Sequence, residues 1–158
     1  MAKKNMSRKI CFAASSGGHY EQLMMLAPLM DKYDSFILTE KTMYLSQVEG
    51  KKTYLIKQVN RKEWNFILSM LLNAFLSAII FVKEKPDVII CTGVMATIPM
   101  CIIGKIFRKK IIYIESFAKT TSATETGKLL YKYADCFYVQ WEEMLKVYPK
   151  AIYVGGIY

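Results

Sequence analysis

The chain has 158 residues, enough for one domain with a full hydrophobic core and too few for two domains of ordinary size. Its formal net charge at pH 7 is +9 and 53% of its residues are hydrophobic, a composition that excludes a disordered basic tail. Lysine and arginine occur in small groups without a zinc-finger, basic-zipper or RNA-recognition signature. We therefore expect no nucleic-acid partner and favour an anionic membrane or a phosphorylated lipid.

Residues 1–8 are predicted to form a basic tail ahead of a single domain, residues 9–158. The apolar run after the tail is short and ends in a glycine loop, so no secretory signal sequence is predicted. The four cysteines show neither Cys-x-x-Cys nor zinc-binding spacing. Three of them fall in predicted strands (Cys11, Cys91, Cys136) and Cys101 falls in a predicted helix. We expect buried thiols in the reducing cytoplasm.

The first predicted unit, Lys9 to Leu23, consists of an apolar strand, a tight loop and a helix that begins near His19. The loop consists of Ser15, Ser16, Gly17 and Gly18. Glycine tolerates a positive φ and the close approach of another group, and a helix N-terminus presents free N–H groups. The pattern predicts an anion site, most often for a phosphate, although an ordinary strand-to-helix turn has the same pattern.

The rest of the chain alternates between strands and helices. Strands are predicted at 35–39, 53–56, 88–91, 110–114, 135–139 and 151–154, and helices at 20–30, 63–83, 99–107 and 141–147, with a further helix ending at 133. Ser122 and Glu125 have capping-box spacing before that further helix. Because the strands are apolar throughout, we predict an α/β fold, a Rossmann-like parallel sheet with helices on both faces.

Polar residues follow several of these strands, where ligands bind in a parallel sheet. Beyond the first loop they are Glu40, Thr92, Gly93, Glu115, Ser116 and Gln140. His19 is the single histidine, and a helix start would keep its ring neutral as a general base requires; alternatively, a nearby carbonyl satisfies it. Glu115 is predicted to accept a hydrogen bond from a substrate hydroxyl, or else to be held by a lysine or by backbone amides.

The segment from Trp64 to Val82 has 19 residues and no charge, which is long enough to span a membrane. A span is disfavoured because the strands on either side must join one sheet. Polar residues recur every fourth position, at Asn65, Ser69, Asn73 and Ser77. The helix is therefore either buried against the sheet or placed with its outer surface in the membrane interface. The predicted membrane contacts are Arg61, Lys62, Trp64, Phe66, Leu71 and Phe75.

Several motifs together resemble the family of asparagine-linked glycosylation protein fourteen, which includes bacterial capsular and exopolysaccharide proteins that accompany a separate glycosyltransferase chain. The motifs are Ser15-Ser-Gly-Gly-His19, Pro86-Asp-Val-Ile-Ile-Cys-Thr-Gly93, Ile112-Tyr-Ile-Glu-Ser-Phe-Ala118, Ala134-Asp135, Val139-Gln-Trp141 and Gly155-Gly-Ile-Tyr158. The resemblance extends over nearly the whole chain from Lys9. The family is similar to the N-terminal, acceptor-binding half of two-domain GT-B glycosyltransferases, including the enzyme that forms the lipid-linked disaccharide of peptidoglycan.

The resemblance implies a glycosyltransferase subunit on the inner face of the plasma membrane. It would hold a polyprenyl diphosphate sugar acceptor and recruit a partner chain that binds the nucleotide sugar, and it would be inactive without that partner. His19 and Glu115 would be catalytic, and the remaining residues of the edge would bind the acceptor or its phosphates: Ser15, Ser16, Gly17, Gly18, Thr92, Gly93 and Ser116. No cofactor or metal is expected, because the sequence contains no Asp-x-Asp motif.

Two departures from the family pattern are visible. The eukaryotic members carry an N-terminal membrane span that this sequence does not show, so the interfacial helix would serve instead. Lys119 stands where the family usually has arginine after Glu-Ser-Phe-Ala, which weakens any expectation of bidentate phosphate binding there.

Two other functions remain open at this point. Glu40 lies 22 residues after Gly18, about where a ribose-binding acid lies in a nicotinamide-dependent oxidoreductase, but the loop lacks the Gly-x-Gly-x-x-Gly spacing. The other alternative is a non-catalytic membrane adaptor without a role in an active site.

Overall fold

The computed structural model describes residues 5–42, 50–93 and 95–158. The strands are β1 (Asn5–Ala13), β2 (Tyr33–Glu40), β3 (Lys52–Ile56), β4 (Val88–Cys91), β5 (Lys110–Ile114), β6 (Cys136–Val139) and β7 (Ile152–Tyr153). The helices are α1 (Gly18–Met24), α2 (Ala27–Lys32), α3 (Phe66–Glu84), α4 (Ile98–Ile106) and α5 (Glu125–Leu130), with 3₁₀ turns at Met95–Thr97 and Glu142–Lys146. In the described residues, all strands run parallel in one sheet, in the order β3-β2-β1-β4-β5-β6-β7.

Each face of the sheet has its own hydrophobic core. On one face α3, α4 and α5 pack through residues such as Phe81, Met100 and Leu130. On the other face α1 and α2 pack through Leu23 and Met30. The predicted Rossmann-like parallel sheet with helices on both faces is confirmed, because apolar strands need cover on both sides.

Several local predictions need correction. The helix predicted at 20–30 is two helices, since Pro28 lies in the first turn of α2 and cannot continue a preceding helix. α5 is capped by Thr124, whose Oγ1 accepts from the Gly127 amide at 2.8 Å, so the capping box at 122–125 is wrong. β1 begins at Asn5, which places part of the predicted tail in the strand, while residues 1–4 lie outside the described residues.

The cysteines occupy the predicted elements as free thiols. Cys11, Cys91 and Cys101 are buried, whereas Cys136 is half-buried because it lies on β6, near the edge of the sheet. The prediction of buried thiols therefore holds for three of the four.

The strand order has its switch point at the neighbouring strands β1 and β4, and ligands bind beyond the carboxyl ends of the strands at such a point. The chain leaves β1 toward β2 on one side and later returns to pair β4 on the other side. At such a switch point the loops after the two strands diverge and leave a space beyond their carboxyl ends. We call this end of the sheet the carboxyl edge.

The opposite end of the sheet is fastened by Glu84, in the last turn of α3. Its buried carboxylate pairs with Lys9 Nζ at 2.9 Å and with Lys52, and it accepts a hydrogen bond from the Tyr54 hydroxyl. Burial opposes ionisation, but the hydrogen bonds from Lys52, Tyr54 and Lys9 outweigh it and lower the pKa of Glu84 from 4.5 to about 2. The charge of Glu84 thus ties α3 to β1 and β3.

Candidate functional site

The loop between β1 and α1 is open at the carboxyl edge. Gly17 has a φ of 71°, in the left-handed region that favours glycine. Gly17 and Gly18 are exposed, and among the described residues nothing lies within 4 Å of the position that a Cβ atom would take at either one. The backbone of Gly17 and Gly18 is therefore open to the approach of a ligand.

His19 is held by Thr92 across the switch point. The ring Nδ1 lies 2.7 Å from the Thr92 carbonyl oxygen, and the Thr92 hydroxyl donates to the His19 carbonyl at 2.8 Å. A carbonyl oxygen can only accept, so this geometry assigns the proton to Nδ1. The neutral ring then carries its lone pair on Nε2, as a general base requires. The carbonyl-satisfied alternative is thus observed, and it leaves the catalytic prediction for His19 open.

Gly93 gives the imidazole its space. Its φ is 129°, and a Cβ atom there would lie 2.8 Å from both Nδ1 and Cε1 of His19. A side chain at this position would therefore be strained and would push against the ring. The glycine after β4 fixes where His19 can lie.

Three predicted acceptor or phosphate contacts are buried and have other partners. The Ser15 hydroxyl donates to the carbonyl of Ser16 at 3.0 Å, Thr92 holds His19, and Gly93 lies against the imidazole. All three residues therefore act within the protein, and the predicted ligand contacts at these residues stay predictions. The predicted contacts that reach the surface are Ser16, Gly17, Gly18 and Ser116.

Glu40 is used by the protein backbone. It is buried at the end of β2, where its Oε1 accepts from the Val59 amide at 3.2 Å and the Ser16 amide also donates to the carboxylate. Burial raises the pKa of Glu40, and the two backbone hydrogen bonds oppose that rise. A carboxylate occupied in this way is not available to a ribose, so the nicotinamide alternative loses the residue on which it rested.

Glu115 is fully buried at the end of β5. Its Oε1 accepts from the Ser116 amide at 2.8 Å and the Thr124 hydroxyl at 2.9 Å. Its Oε2 accepts from the Tyr148 hydroxyl at 2.8 Å and the Thr124 amide at 3.3 Å. A substrate hydroxyl needs an accessible oxygen, so this geometry favours the backbone-amide alternative over the predicted catalytic role.

Hydrogen bonds hold the last residues of the chain next to Glu115. Gln140 donates through Nε2 to the Glu115 carbonyl at 2.8 Å and accepts from the Ile157 amide at 3.0 Å. The Trp141 indole donates to the Phe117 carbonyl at 2.7 Å, and the ring centroids of Phe117 and Trp141 lie 4.9 Å apart. The sequence motifs around these residues were visible, but nothing in them indicated that they hold one another.

An apolar cavity of about 390 Å³ opens on the α1–α2 face of the sheet. Its floor is formed by Ile90, Ile112 and Ile114, and residues 154–157 form one wall. In the described residues no group of three or more His, Cys, Asp or Glu side chains is disposed to hold a metal ion.

α3 buries polar side chains and exposes apolar ones, the reverse of an ordinary surface helix. Ser69, Asn73 and Ser77 are buried, and the Asn73 side chain bonds the backbone amide and carbonyl of Lys57 at 2.9 and 2.7 Å. The outward side is apolar and exposed, and it continues onto the end of α4. We call this surface the apolar face: Ile67, Leu68, Leu71, Leu72, Phe75, Ile79, Val82, Ile102, Ile106 and Phe107.

Two of the six predicted membrane contacts belong to the apolar face, and three more are exposed in the residues just before α3. Trp64 is 94% exposed just before α3, and Leu71 and Phe75 belong to the apolar face, but Phe66 is half-buried. The contact at Phe66, like the others, stays a prediction. The exposed residues of α4 were not predicted, because the sequence of that helix is typical of an ordinary core helix. By length and composition α3 could span a membrane. Basic residues that flank α3 and α4 in the sequence, or lie in their last turns, are exposed: Lys57, Arg61, Lys62, Lys83, Lys85, Lys105 and Arg108.

A family model described as "Oligosaccharide biosynthesis protein Alg14 like" matches residues 56–157. The chain belongs to this Alg14-like family. The human protein named UDP-N-acetylglucosamine transferase subunit ALG14 is 27% identical over 182 residues, which cover 96% of this chain and 83% of the human one. The Schizosaccharomyces pombe subunit of the same name is 28% identical over 181 residues, covering 97% and 85%. The match to the family model includes Gly93 and Glu115 but not the loop of residues 15–19.

Solved structures share the fold of this Alg14-like chain at low sequence identity. Acinetobacter baumannii MurG superposes with a TM-score of 0.70 at 16% identity, over 84% of this chain and 41% of MurG. UDP-N-acetylglucosamine 2-epimerase from Rickettsia bellii superposes with a TM-score of 0.72 at 14% identity, over 95% and 45%. The chain therefore spans less than half the length of each of these proteins, with the fold of a GT-B N-terminal half.

Proposed function

We propose that this chain is the acceptor-binding subunit of a two-chain UDP-sugar glycosyltransferase, and that the donor site lies on a separate partner chain. One observation carries the proposal: a chain related to a transferase subunit over nearly its whole length has the fold of two fifths of MurG. The relatives are named as subunits of a transferase, which supports a second chain that completes the site. UDP-N-acetylglucosamine is the first donor to test, because the relatives are named for it.

His19 would supply the base of the reaction. In glycosyl transfer an acceptor hydroxyl attacks the anomeric carbon of the donor, the bond to the nucleotide diphosphate breaks, and the hydroxyl proton must be taken up. The Nε2 lone pair of His19, fixed by the hydrogen bond at Nδ1, is suited to that proton. The open backbone at Gly17 and Gly18 would approach the acceptor sugar or its diphosphate.

The apolar face supports docking on a membrane surface. Exposed apolar side chains bordered by lysine and arginine are the composition of an interfacial helix. Each basic residue near an anionic surface contributes about 1 kcal/mol. A crossing is disfavoured because β3 and β4, on either side of α3, lie in one sheet. We therefore propose a peripheral location on the inner face of the plasma membrane.

The start of α3 lies at the same end of the molecule as His19. β3 ends at the carboxyl edge, and α3 begins after the nine residues 57–65 and returns toward the opposite end. Arg61 Nη1 lies 4.0 Å from Glu125 Oε2, at the start of α5. A lipid-linked acceptor would thus meet the docked surface and the candidate site at one end of the fold. The polyprenyl diphosphate acceptor and the capsular or exopolysaccharide setting are parts of this proposal.

Reconstitution with the co-purifying partner chain tests the proposal. Transfer from UDP-N-acetylglucosamine to a short polyprenyl diphosphate sugar should require both chains, with none from either chain alone. Turnover by this chain alone would overturn the two-chain arrangement. A non-catalytic adaptor predicts instead that the partner alone transfers sugar in detergent at the rate of the complex.

A further inference from the structure

The buried carboxylate of Glu115 joins the two ends of a surface loop. The amides of Ser116 and Thr124, at the start and end of residues 116–124, both donate to it. Residues 120–122 between them are exposed and carry only hydroxyl side chains. One side chain thus closes a loop of nine residues at the carboxyl edge.

The hydrogen bonds around Glu115 can all form at once, because each hydroxyl group has a proton to donate and an acceptor for it. The Thr124 hydroxyl has one proton, which goes to the carboxylate, while its oxygen accepts from the Gly127 amide at 2.8 Å. The Tyr113 hydroxyl lies 3.2 Å from the same oxygen. Burial and the neighbouring carboxylate raise the pKa of Tyr113 and of Tyr148 well above the usual range, so both hydroxyls stay protonated.

The cluster leaves no space for a ligand. A Cβ atom at Gly127 would overlap the Glu115 carboxylate and lie 2.5 Å from Tyr148 Oη and 2.8 Å from Thr124 Oγ1. The Glu115 backbone is fixed as well, because its amide donates to the Tyr138 carbonyl at 2.9 Å. A substrate can meet the loop that this cluster holds, but not the carboxylate itself.

We propose that Glu115 is a positioning residue: with Thr124 and Tyr148 it closes the loop 116–124 so that Ser116 and the hydroxyls of residues 120–122 meet the acceptor. The identity of the ligand rests on the proposed function, whereas the closure of the loop does not. Loss of any donor to the carboxylate should therefore loosen the loop and weaken acceptor binding. Proton transfer should remain with another residue, which the proposed function takes to be His19.

Hydrogen exchange of the full chain tests the closure without any need for activity. Tyr148→Phe removes one hydroxyl donor and keeps the ring, so it carries the test. Thr124→Val is the second variant, although it also removes the oxygen that accepts from the Gly127 amide. A hydrogen bond to a charged group is worth enough to change local opening by about tenfold or more, so the 116–124 amides should exchange faster by that factor. Thr124→Ser should restore protection. The matched control Tyr133→Phe, at an exposed tyrosine, should leave it unchanged. Unchanged exchange in both test variants would overturn the proposal.

Kinetics of the reconstituted complex separate positioning from proton transfer. Tyr148→Phe and Thr124→Val should raise KM for the polyprenyl diphosphate acceptor several-fold, with a smaller change in kcat and an unchanged pH profile. Glu115→Gln should act in the same direction. A fall in kcat of more than about 100-fold in Glu115→Gln, with KM and loop exchange unchanged and one limb of the pH profile lost, would return Glu115 to a proton-transfer role. If no complex transfers sugar, the exchange result still decides whether Glu115 closes the loop.

Discussion

The side chains of His19 and Thr92 are joined to each other's backbone by two hydrogen bonds, of 2.7 and 2.8 Å, beyond the carboxyl ends of the paired strands β1 and β4. Each residue uses its side chain to bond the carbonyl oxygen of the other. The pair spans the switch point of the sheet, so the position of the imidazole depends on both halves of the fold. This makes His19 a stringent test of the site.

His19→Ala should lower turnover of the two-chain complex by about 10²–10⁴-fold, the range of general acid–base catalysis, while folding and partner binding persist. Melting temperature and co-purification would be measured beside the rate. Thr92→Val is the companion variant, because it keeps the Thr92 carbonyl but removes the hydroxyl bond to His19; we expect a smaller loss. If His19→Ala kept more than about a third of the activity, the histidine would be an ordinary helix-start residue.

Two glycines allow a matched comparison of ligand approach with ring position. In Gly18→Ala the new methyl group meets open space, so the free energy of unfolding should stay unchanged or rise by up to about 1 kcal/mol, because alanine favours a helix. If a ligand approaches the backbone at this position, the methyl group should obstruct it and lower the activity of the complex. Gly93→Ala should lower the free energy of unfolding by about 1–3 kcal/mol through its strained φ and its contact with His19. Full activity in Gly18→Ala would argue against a ligand at that loop. Equal stability of the two variants would contradict the geometry around His19.

Vesicle flotation should find the protein on anionic liposomes and much less on neutral ones. The double variant Arg61→Glu/Lys62→Glu should weaken binding at least about tenfold, on the scale of about 1 kcal/mol per basic residue. Lys146→Glu/Lys150→Glu changes the net charge equally, in exposed residues between β6 and β7, and should bind nearly as the parent does. Equal binding of the parent to anionic and neutral vesicles would contradict an electrostatic contribution to docking. High salt should weaken binding to anionic vesicles, because it screens the charges.

Glu84→Gln should reduce the free energy of unfolding by about 1–3 kcal/mol near neutral pH, since it removes the charge that Lys9, Lys52 and Tyr54 bind. The pKa of Glu84 is about 2 in the folded protein against an ordinary value of 4.5, so its stabilisation is present above pH 4.5 and lost as the pH falls toward 2. Glu40 shifts in the opposite direction, which is why the difference between parent and variant must be measured. Denaturant unfolding at pH 7 and pH 3, with the exposed Glu143→Gln as control, checks this. A difference that does not shrink at low pH would contradict it.

The strands were readable from the sequence because runs such as Val88–Cys91 and Lys110–Ile114 are apolar, short and bounded by turn residues. Their order placed the loop 15–19 and Thr92 at one edge. The polar stripe on the long helix was also visible, but its direction was not: periodicity shows that a helix has two faces and does not say which one the protein buries. Here the Lys57 backbone, with its own hydrogen-bonding needs, draws Asn73 inward.

Glu115 shows where sequence reasoning stopped. A carboxylate after four apolar residues has the pattern of a buried structural acid and of a catalytic one. The deciding partner, Tyr148, lies 33 positions further along the chain, and no local signal connects the two. The N-cap role of Thr124 was also missed. Ser122 has the spacing of a capping box with Glu125, but the helix begins two residues later than that spacing implies.

The exposed apolar face also determines what calorimetry and circular dichroism should record on contact with vesicles. Its side chains lie on helices that are already formed, so docking would bury apolar surface without folding any new segment. Burial of apolar surface produces a negative heat-capacity change, whereas coupled folding would add a gain in helical signal and a large ordering cost. Titration of vesicles into the protein should therefore give the heat-capacity change of a rigid body entering the interface, with a far-ultraviolet spectrum that does not move.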